Sequence, residues 1–105
     1  MTNKSHNYRI VLSFEGDDLE IYDRVVAIET KLEMELVSGE VNGHDVGGSV
    51  NIFIDSREPK ICFEEAMKII KDVEPKPCAA GYRAIEKEDY VRLWPQGDAT
   101  PFELN

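Results

Sequence analysis

The sequence predicts an α+β fold in which two helices lie on one face of an antiparallel sheet. Two helical stretches and several stretches of alternating apolar and polar residues follow the order β-α-β-β-α-β, with one more strand at the end. That order is typical of a ferredoxin-like, two-layer sandwich. With 105 residues the chain fits a single domain, 1–105, and we expect its ends, 1–6 and 97–105, to be flexible tails.

The first strand and the first helix have the clearest signals. Apolar side chains alternate with mostly polar ones over residues 8–15, the period of two expected of a strand with one buried face. Asp17 is the expected N-cap of a helix over 18–35, and Glu20 stands three residues later to complete a capping box. Four apolar residues at helical spacing form the stripe that should face the sheet: Ile21, Val25, Ile28 and Leu32.

A hairpin is predicted after this helix. Residues 36–41 are expected to form the second strand, and Asn42-Gly43 favours a tight turn because both residue types tolerate positive φ. The chain should therefore reverse at Asn42-Gly43 or slightly later. Residues 50–55 alternate again and are rich in Ile and Val, so they predict a third, central strand that is covered on at least one face.

A second helix is predicted to begin within 56–59 and to end before Pro75, which cannot continue a helix. Pro59 suits its first turn, where a missing N–H is harmless. Its apolar residues cover one continuous arc: Cys62, Phe63, Ala66, Ile69, Ile70 and Val73. Residues 79–86 and 90–95 are then expected to form the last two strands, joined by a connection of ordinary hairpin length.

The charge of the chain limits its possible partners. It has 21 acidic and 12 basic residues and a net charge of −9, so its surface should repel nucleic-acid backbones. The excess is local: residues 15–40 contain nine acids against Arg24 and Lys31, a charge of −7. We therefore expect a protein partner, and a basic one, rather than a nucleic acid.

Nothing in the sequence has the length and apolarity of a membrane span, and the first residues lack the features of a signal peptide. The expected location is cytoplasmic. The two cysteines, Cys62 and Cys78, match neither a disulfide framework nor a zinc spacing, and we expect both to be free thiols. No metal site and no cofactor are predicted.

The glycine-rich stretch that contains His44, Asp45, Gly47 and Gly48 is one candidate site. Its backbone amides could form a nest for an anion, with His44 as a titratable donor. A phosphate loop, however, should open a helix and supply a lysine, whereas this stretch joins two strands and supplies a carboxylate. The favoured prediction is a flexible hairpin loop that is available to a partner.

The last two strands carry the other candidate site, Tyr82, Tyr90, Arg92 and Trp94. If Glu86 lies opposite Tyr90, then Tyr82 lies opposite Trp94, and the four side chains share one face of the sheet. Aromatic and arginine side chains are common anchors for protein partners. The competing interpretation is that this face is the core side of the sheet, or that the tail closes it through Phe102.

Two functional hypotheses follow. The first is a small, acidic, non-enzymatic interaction module, such as an immunity, inhibitor or adaptor protein, which binds through the first helix or through the aromatic strand face. The alternative is a ligand-binding regulatory domain that forms a homodimer, because the order of elements resembles that of ACT-like domains. An enzyme is not expected, since no nucleophile, base and orienting group converge in the sequence.

Overall fold

The computed structural model describes residues 7–97 and 100–102, and these form two helices and a five-stranded antiparallel sheet. The α+β class is therefore confirmed. The strands lie side by side in the order β2-β3-β1-β4-β5. The elements along the chain are β1 (Tyr8–Glu15), α1 (Leu19–Glu35), β2 (Glu40–Val46), β3 (Ser49–Ser56), α2 (Pro59–Ile69), β4 (Ala79–Ala84) and β5 (Val91–Trp94).

The core lies between the two helices and one face of the central strands. Ile10, Leu12 and Phe14 of β1 stand opposite the apolar residues of β3 in register, and all of them are fully buried. Each helix adds three buried residues to the same cluster: Val25, Ile28 and Leu32 from α1, and Cys62, Ala66 and Ile70 from the α2 region. The helical spacing of those residues in the sequence thus predicts the packed faces correctly.

The start of α1 differs from the prediction by one residue. Asp18, not Asp17, is the N-cap, and its carboxylate accepts a hydrogen bond from the N–H of Ile21 at 2.9 Å. Such a side chain satisfies one of the free donors of the first turn. Farther along the helix, Arg24 forms a salt bridge with Glu20.

The β2–β3 hairpin turns later than Asn42-Gly43. Gly43 has a φ of +87° and lies where the pairing of β2 with β3 shifts register, so the dipeptide forms a bulge inside β2. The chain reverses instead at Gly47-Gly48, where Gly48 has a φ of +81°. The second strand is therefore 40–46 rather than 36–41.

The segment between α1 and β2 is fastened to α2. The carboxylate of Glu65 accepts hydrogen bonds from the N–H groups of Val37 and Ser38 and from the Ser38 hydroxyl. At the next residue, Gly39, the backbone passes close to α2 and β3. A Cβ added there would stand 2.6 Å from Cys62 Sγ and 2.9 Å from the Asp55 carbonyl oxygen. This connection therefore needs both the carboxylate and the glycine.

The hydrogen bonds to Glu65 predict an acid dependence of stability. Burial alone would raise the pKa of this carboxyl, but the Ser38 and Val37 donors outweigh burial, and the pKa lies below its ordinary value of 4.5. A carboxyl whose folded pKa is depressed stabilises the fold above its unfolded pKa, and that stability is lost as the pH falls through the folded pKa. Glu65→Gln should therefore reduce the loss of unfolding free energy that the wild type shows between neutral pH and pH values below about 4.

The matched control is Glu64→Gln, which changes an exposed neighbour on the same helix. Urea unfolding at a series of pH values measures the effect. An acid dependence that is the same in the Glu65 variant and in the wild type would show that the Ser38 and Val37 contacts do not stabilise the ionised carboxyl.

Candidate functional site

The four residues of the predicted aromatic face do not share one face. The β4–β5 pairing places Trp94 opposite Ala80, Arg92 opposite Gly81 and Val91 opposite Tyr82, with a shift of register between Ala80 and Gly81. The predicted pairing of Tyr82 with Trp94 is therefore wrong. Tyr82 packs against the helix-side core and makes an edge contact with Tyr8, whose ring centre is 5.9 Å away.

Tyr90 and Arg92 lie on the opposite side of the sheet, beneath the C-terminal segment. The Phe102 ring centre is 5.2 Å from that of Tyr90, and the Arg92 guanidinium lies 5.8 Å from the Phe102 ring. Arg92 also donates hydrogen bonds to the carbonyl oxygens of Thr100, Pro101 and Trp94. The guanidinium is thus engaged in holding the returning chain.

Phe102 is the residue that closes this face. It is 5% exposed, and it covers Gly81, where an added Cβ would stand 2.7 Å from the ring. Val11, the β1 neighbour of Gly81, is fully buried on the same side. Phe102 therefore covers this part of the sheet, as the competing interpretation of the sequence predicts. Most of the predicted tails, residues 1–6, 98, 99 and 103–105, lie outside the described residues.

Trp94 is the member of the set that remains at the surface, with 37% of its area exposed. It lies beside a groove of about 670 Å³ between α2 and β5. The apolar lining of this groove comes from Phe63 and Met67 of α2 and from Leu93 and Trp94 of β5. No local pattern in the sequence indicates the groove, although a fifth strand beside only two helices is a signal that part of the sheet is left uncovered.

His44 and Asp45 lie in β2 rather than in a loop, and only Gly47 and Gly48 form the turn. His44 points to the helix side and contacts α1. Its Nδ1 is 2.9 Å from Glu29 Oε1, and its Nε2 is 3.0 Å from the Tyr22 hydroxyl oxygen. Glu29 is only 8% exposed, so its carboxylate is buried and His44 is its polar partner. His44 therefore lies in a strand and not in the predicted hairpin loop.

Asp45 points to the other side of the sheet, as expected for the next residue in a strand. Its carboxylate accepts a hydrogen bond at 2.9 Å from the amide of Asn51, which is fully buried and in turn accepts one from the Ser13 hydroxyl. His44 and Asp45 consequently belong to two separate polar contacts. Both contacts hold β2 in place.

Both thiols have a pKa above the ordinary value of a cysteine. Cys62 is fully buried, and burial raises its pKa despite hydrogen bonds with Ser38 and Ser56. The pKa of the more exposed Cys78 is also raised, by burial first and by the nearby charge of Glu15 second. A thiol with a raised pKa holds little of the nucleophilic thiolate near neutral pH. Both cysteines are free, and Cys62 is the structural thiol that its place in the apolar arc predicts.

The acidic residues of the predicted negative segment lie at the surface around the start of α1. Five of them, all within residues 15–23, form what we name the acidic surface: Glu15, Asp17, Asp18, Glu20 and Asp23. Arg24 is the cation nearest to them in sequence. All five side chains are exposed. Carboxylates at a helix N-terminus are stabilised by the helix dipole, which lets the fold keep this density of charge.

Over 7–97 and 100–102 the structure brings together no group of three or more His, Cys, Asp or Glu side chains that could hold a metal ion. The same described ranges contain no helix with the length and apolarity to cross a membrane. Comparison with known protein families, with curated proteins and with solved structures finds no match to this chain.

Proposed function

We propose that the protein is a non-enzymatic interaction domain that binds a basic partner protein through the acidic surface at the start of α1. The observation that supports this proposal most strongly is the exposure of five carboxylates within nine residues, of which Glu20 is paired with Arg24. A surface of this kind attracts a cationic partner and increases its association rate at low ionic strength.

An apolar side chain lies within the same surface. Leu19 follows the N-cap and is 74% exposed, although leucine is a residue type that is usually buried. Apolar side chains at the centre of a contact supply affinity, whereas exposed charges supply rate and selectivity. A partner with an apolar residue surrounded by lysine or arginine would match Leu19 and its acidic neighbours.

The strand order β2-β3-β1-β4-β5 supports the finer assignment of a ferredoxin-like, two-layer sandwich with one added edge strand. On such a scaffold, the contact of His44 with Tyr22 and Glu29 holds α1 against β2 and keeps the acidic surface in a fixed orientation. An immunity, inhibitor or adaptor protein is the class of molecule that we propose.

Two variants with equal changes of charge test the proposal. Glu15→Gln/Asp17→Asn/Asp23→Asn removes three charges from the acidic surface, and Glu86→Gln/Glu88→Gln/Asp89→Asn removes three from the exposed β4–β5 connection. Wild type and control should capture the same basic protein from native lysate, and the acidic-surface variant should lose it. With that partner purified, we expect its Kd to rise about tenfold or more in the acidic-surface variant and to rise with salt.

Equal capture by the two variants, or binding that salt does not change, would contradict the proposal. The alternative, a ligand-binding regulatory domain that dimerises, predicts different results. It requires a dimer in sedimentation and a thermal shift with a small metabolite, because a ligand that binds only the folded state stabilises it.

A further inference from the structure

The fifth strand extends the sheet beyond the layer of helices. Two helices about 10 Å wide cover about four strands at a spacing of about 4.8 Å. In this chain α1 and α2 pack mainly against β1, β2 and β3. The helix-side surface of β5 is therefore left open beside α2, and the groove of about 670 Å³ occupies that place.

Within the described residues the outer edge of β5 has no strand partner, because β4 is the only strand that pairs with it there. An edge strand presents backbone N–H and C=O groups to which another chain can add as a further strand. The opposite edge strand, β2, is interrupted by the bulge at Asn42-Gly43, which twists an edge away from such pairing. At the β5 edge Val91 is 50% exposed and Trp94 37%.

Three basic residues line the groove: two lie on its α2 wall, and the third, Arg92, donates hydrogen bonds to the C-terminal segment. Lys60 and Lys68 of α2 line it, and neither forms a salt bridge in the part of the chain that the structure describes. Lys68 lies eight positions after Lys60 in the helix, which corresponds to about 12 Å along the helix axis. Glu64 lies between the two lysines on the same wall. The two lysines favour acidic groups at both ends of the groove, and Glu64 favours an uncharged group in the middle.

An extended peptide has the matching spacing. Its alternate side chains point to the same side, and residues four apart lie about 13 Å from each other. A peptide paired with β5 could therefore place one apolar side chain between Met67 and Leu93, while acidic side chains two residues before and after it reach Lys60 and Lys68. The central apolar position also keeps a carboxylate away from Glu64.

We propose that the groove between α2 and β5 binds an extended acidic segment of a partner protein as a sixth strand, with the pattern acidic-x-apolar-x-acidic. This site is separate from the acidic surface on α1 and takes a partner of the opposite charge. It goes beyond the proposed function, and it stands or falls independently of that proposal.

Trp94 provides the measurement, because it is the only tryptophan of the chain and it lines the groove. The probe is a capped nine-residue peptide with Glu-Thr-Leu-Thr-Glu at its centre. Its control has the same composition with Glu-Thr-Thr-Leu-Glu at the centre, which turns the leucine to the other side of the strand. The first peptide should change the tryptophan emission in a saturable way, and the control should bind at least about fivefold more weakly.

Lys60→Gln/Lys68→Gln should weaken binding of the first peptide about three- to tenfold at low salt, as expected for two partly exposed ion pairs. The matched variant, Lys71→Gln/Lys87→Gln, removes two exposed lysines from outside the groove lining and should bind as the wild type does. Circular dichroism of all variants verifies that they are folded.

Three results of the binding measurements would overturn the proposal. They are the absence of a saturable change in Trp94 emission, equal binding of the two peptides, and wild-type binding by the Lys60/Lys68 variant. A dimer that shields Trp94 without any peptide would also overturn it, because that result assigns the β5 edge to a second copy of the chain.

Discussion

Replacing Gly81 with alanine is expected to lower the free energy of unfolding by about 1–3 kcal/mol, the usual cost of forcing an extra methyl group into a packed site. The new Cβ would stand 2.7 Å from the Phe102 ring, far inside van der Waals contact. Phe102 would have to leave its place over β4, and the Arg92 contacts to Thr100 and Pro101 would be strained. Urea unfolding measures the change.

A double-mutant cycle separates this cause from a general loss of strand stability. Phe102→Ala alone should cost about 1–3 kcal/mol, because one buried aromatic side chain is lost from the far side of the sheet. In that background Gly81→Ala should have little further effect, since the ring that it would meet is gone. Additive costs of the two substitutions would show that the C-terminal segment does not close this face.

His44→Ala is the second substitution with a large expected effect, a loss of about 1–3 kcal/mol of unfolding free energy. The variant leaves the carboxylate of Glu29 buried without its imidazole partner, and it also removes the contact of the Tyr22 hydroxyl. An unpaired buried carboxylate costs more than the hydrogen bond itself. The same unfolding experiment provides the measurement.

Two further variants control this prediction. Val46→Ala changes an exposed residue of the same strand and should cost no more than about 0.5 kcal/mol. His44→Ala/Glu29→Ala should cost less than the sum of its single variants, because the orphaned carboxylate is absent. If His44→Ala had no larger effect than Val46→Ala, β2 would not depend on the contact with α1.

The elements and the core could be predicted from the sequence because local periodicity encodes them. The stripe of Val25, Ile28 and Leu32 and the alternation of Ile10, Leu12 and Phe14 each indicate a buried face, and both faces are buried. The turn of the Gly-rich hairpin was harder to place, because an Asn-Gly dipeptide suits both a turn and a bulge. Gly43 needs its positive φ for a bulge, and the actual reversal uses Gly48.

The features missed from the sequence depend on contacts between distant segments. A shift of register between β4 and β5 moves Trp94 away from Tyr82, and no local signal indicates that shift. The pairing of His44 with Glu29 spans 15 residues and two elements. A lone glycine in a predicted strand, Gly81, was the available hint that another segment approaches closely there.

Mapping the contact by NMR is the direct test of whether a basic partner binds at the acidic surface beside the start of α1. Uniformly ¹⁵N-labelled protein would be titrated with the captured basic partner, and the backbone amide shifts followed residue by residue. We expect the largest shifts to fall between Glu15 and Arg24 and to diminish in high salt. Shifts confined to the α2–β5 groove, or to the face beneath Phe102, would contradict it.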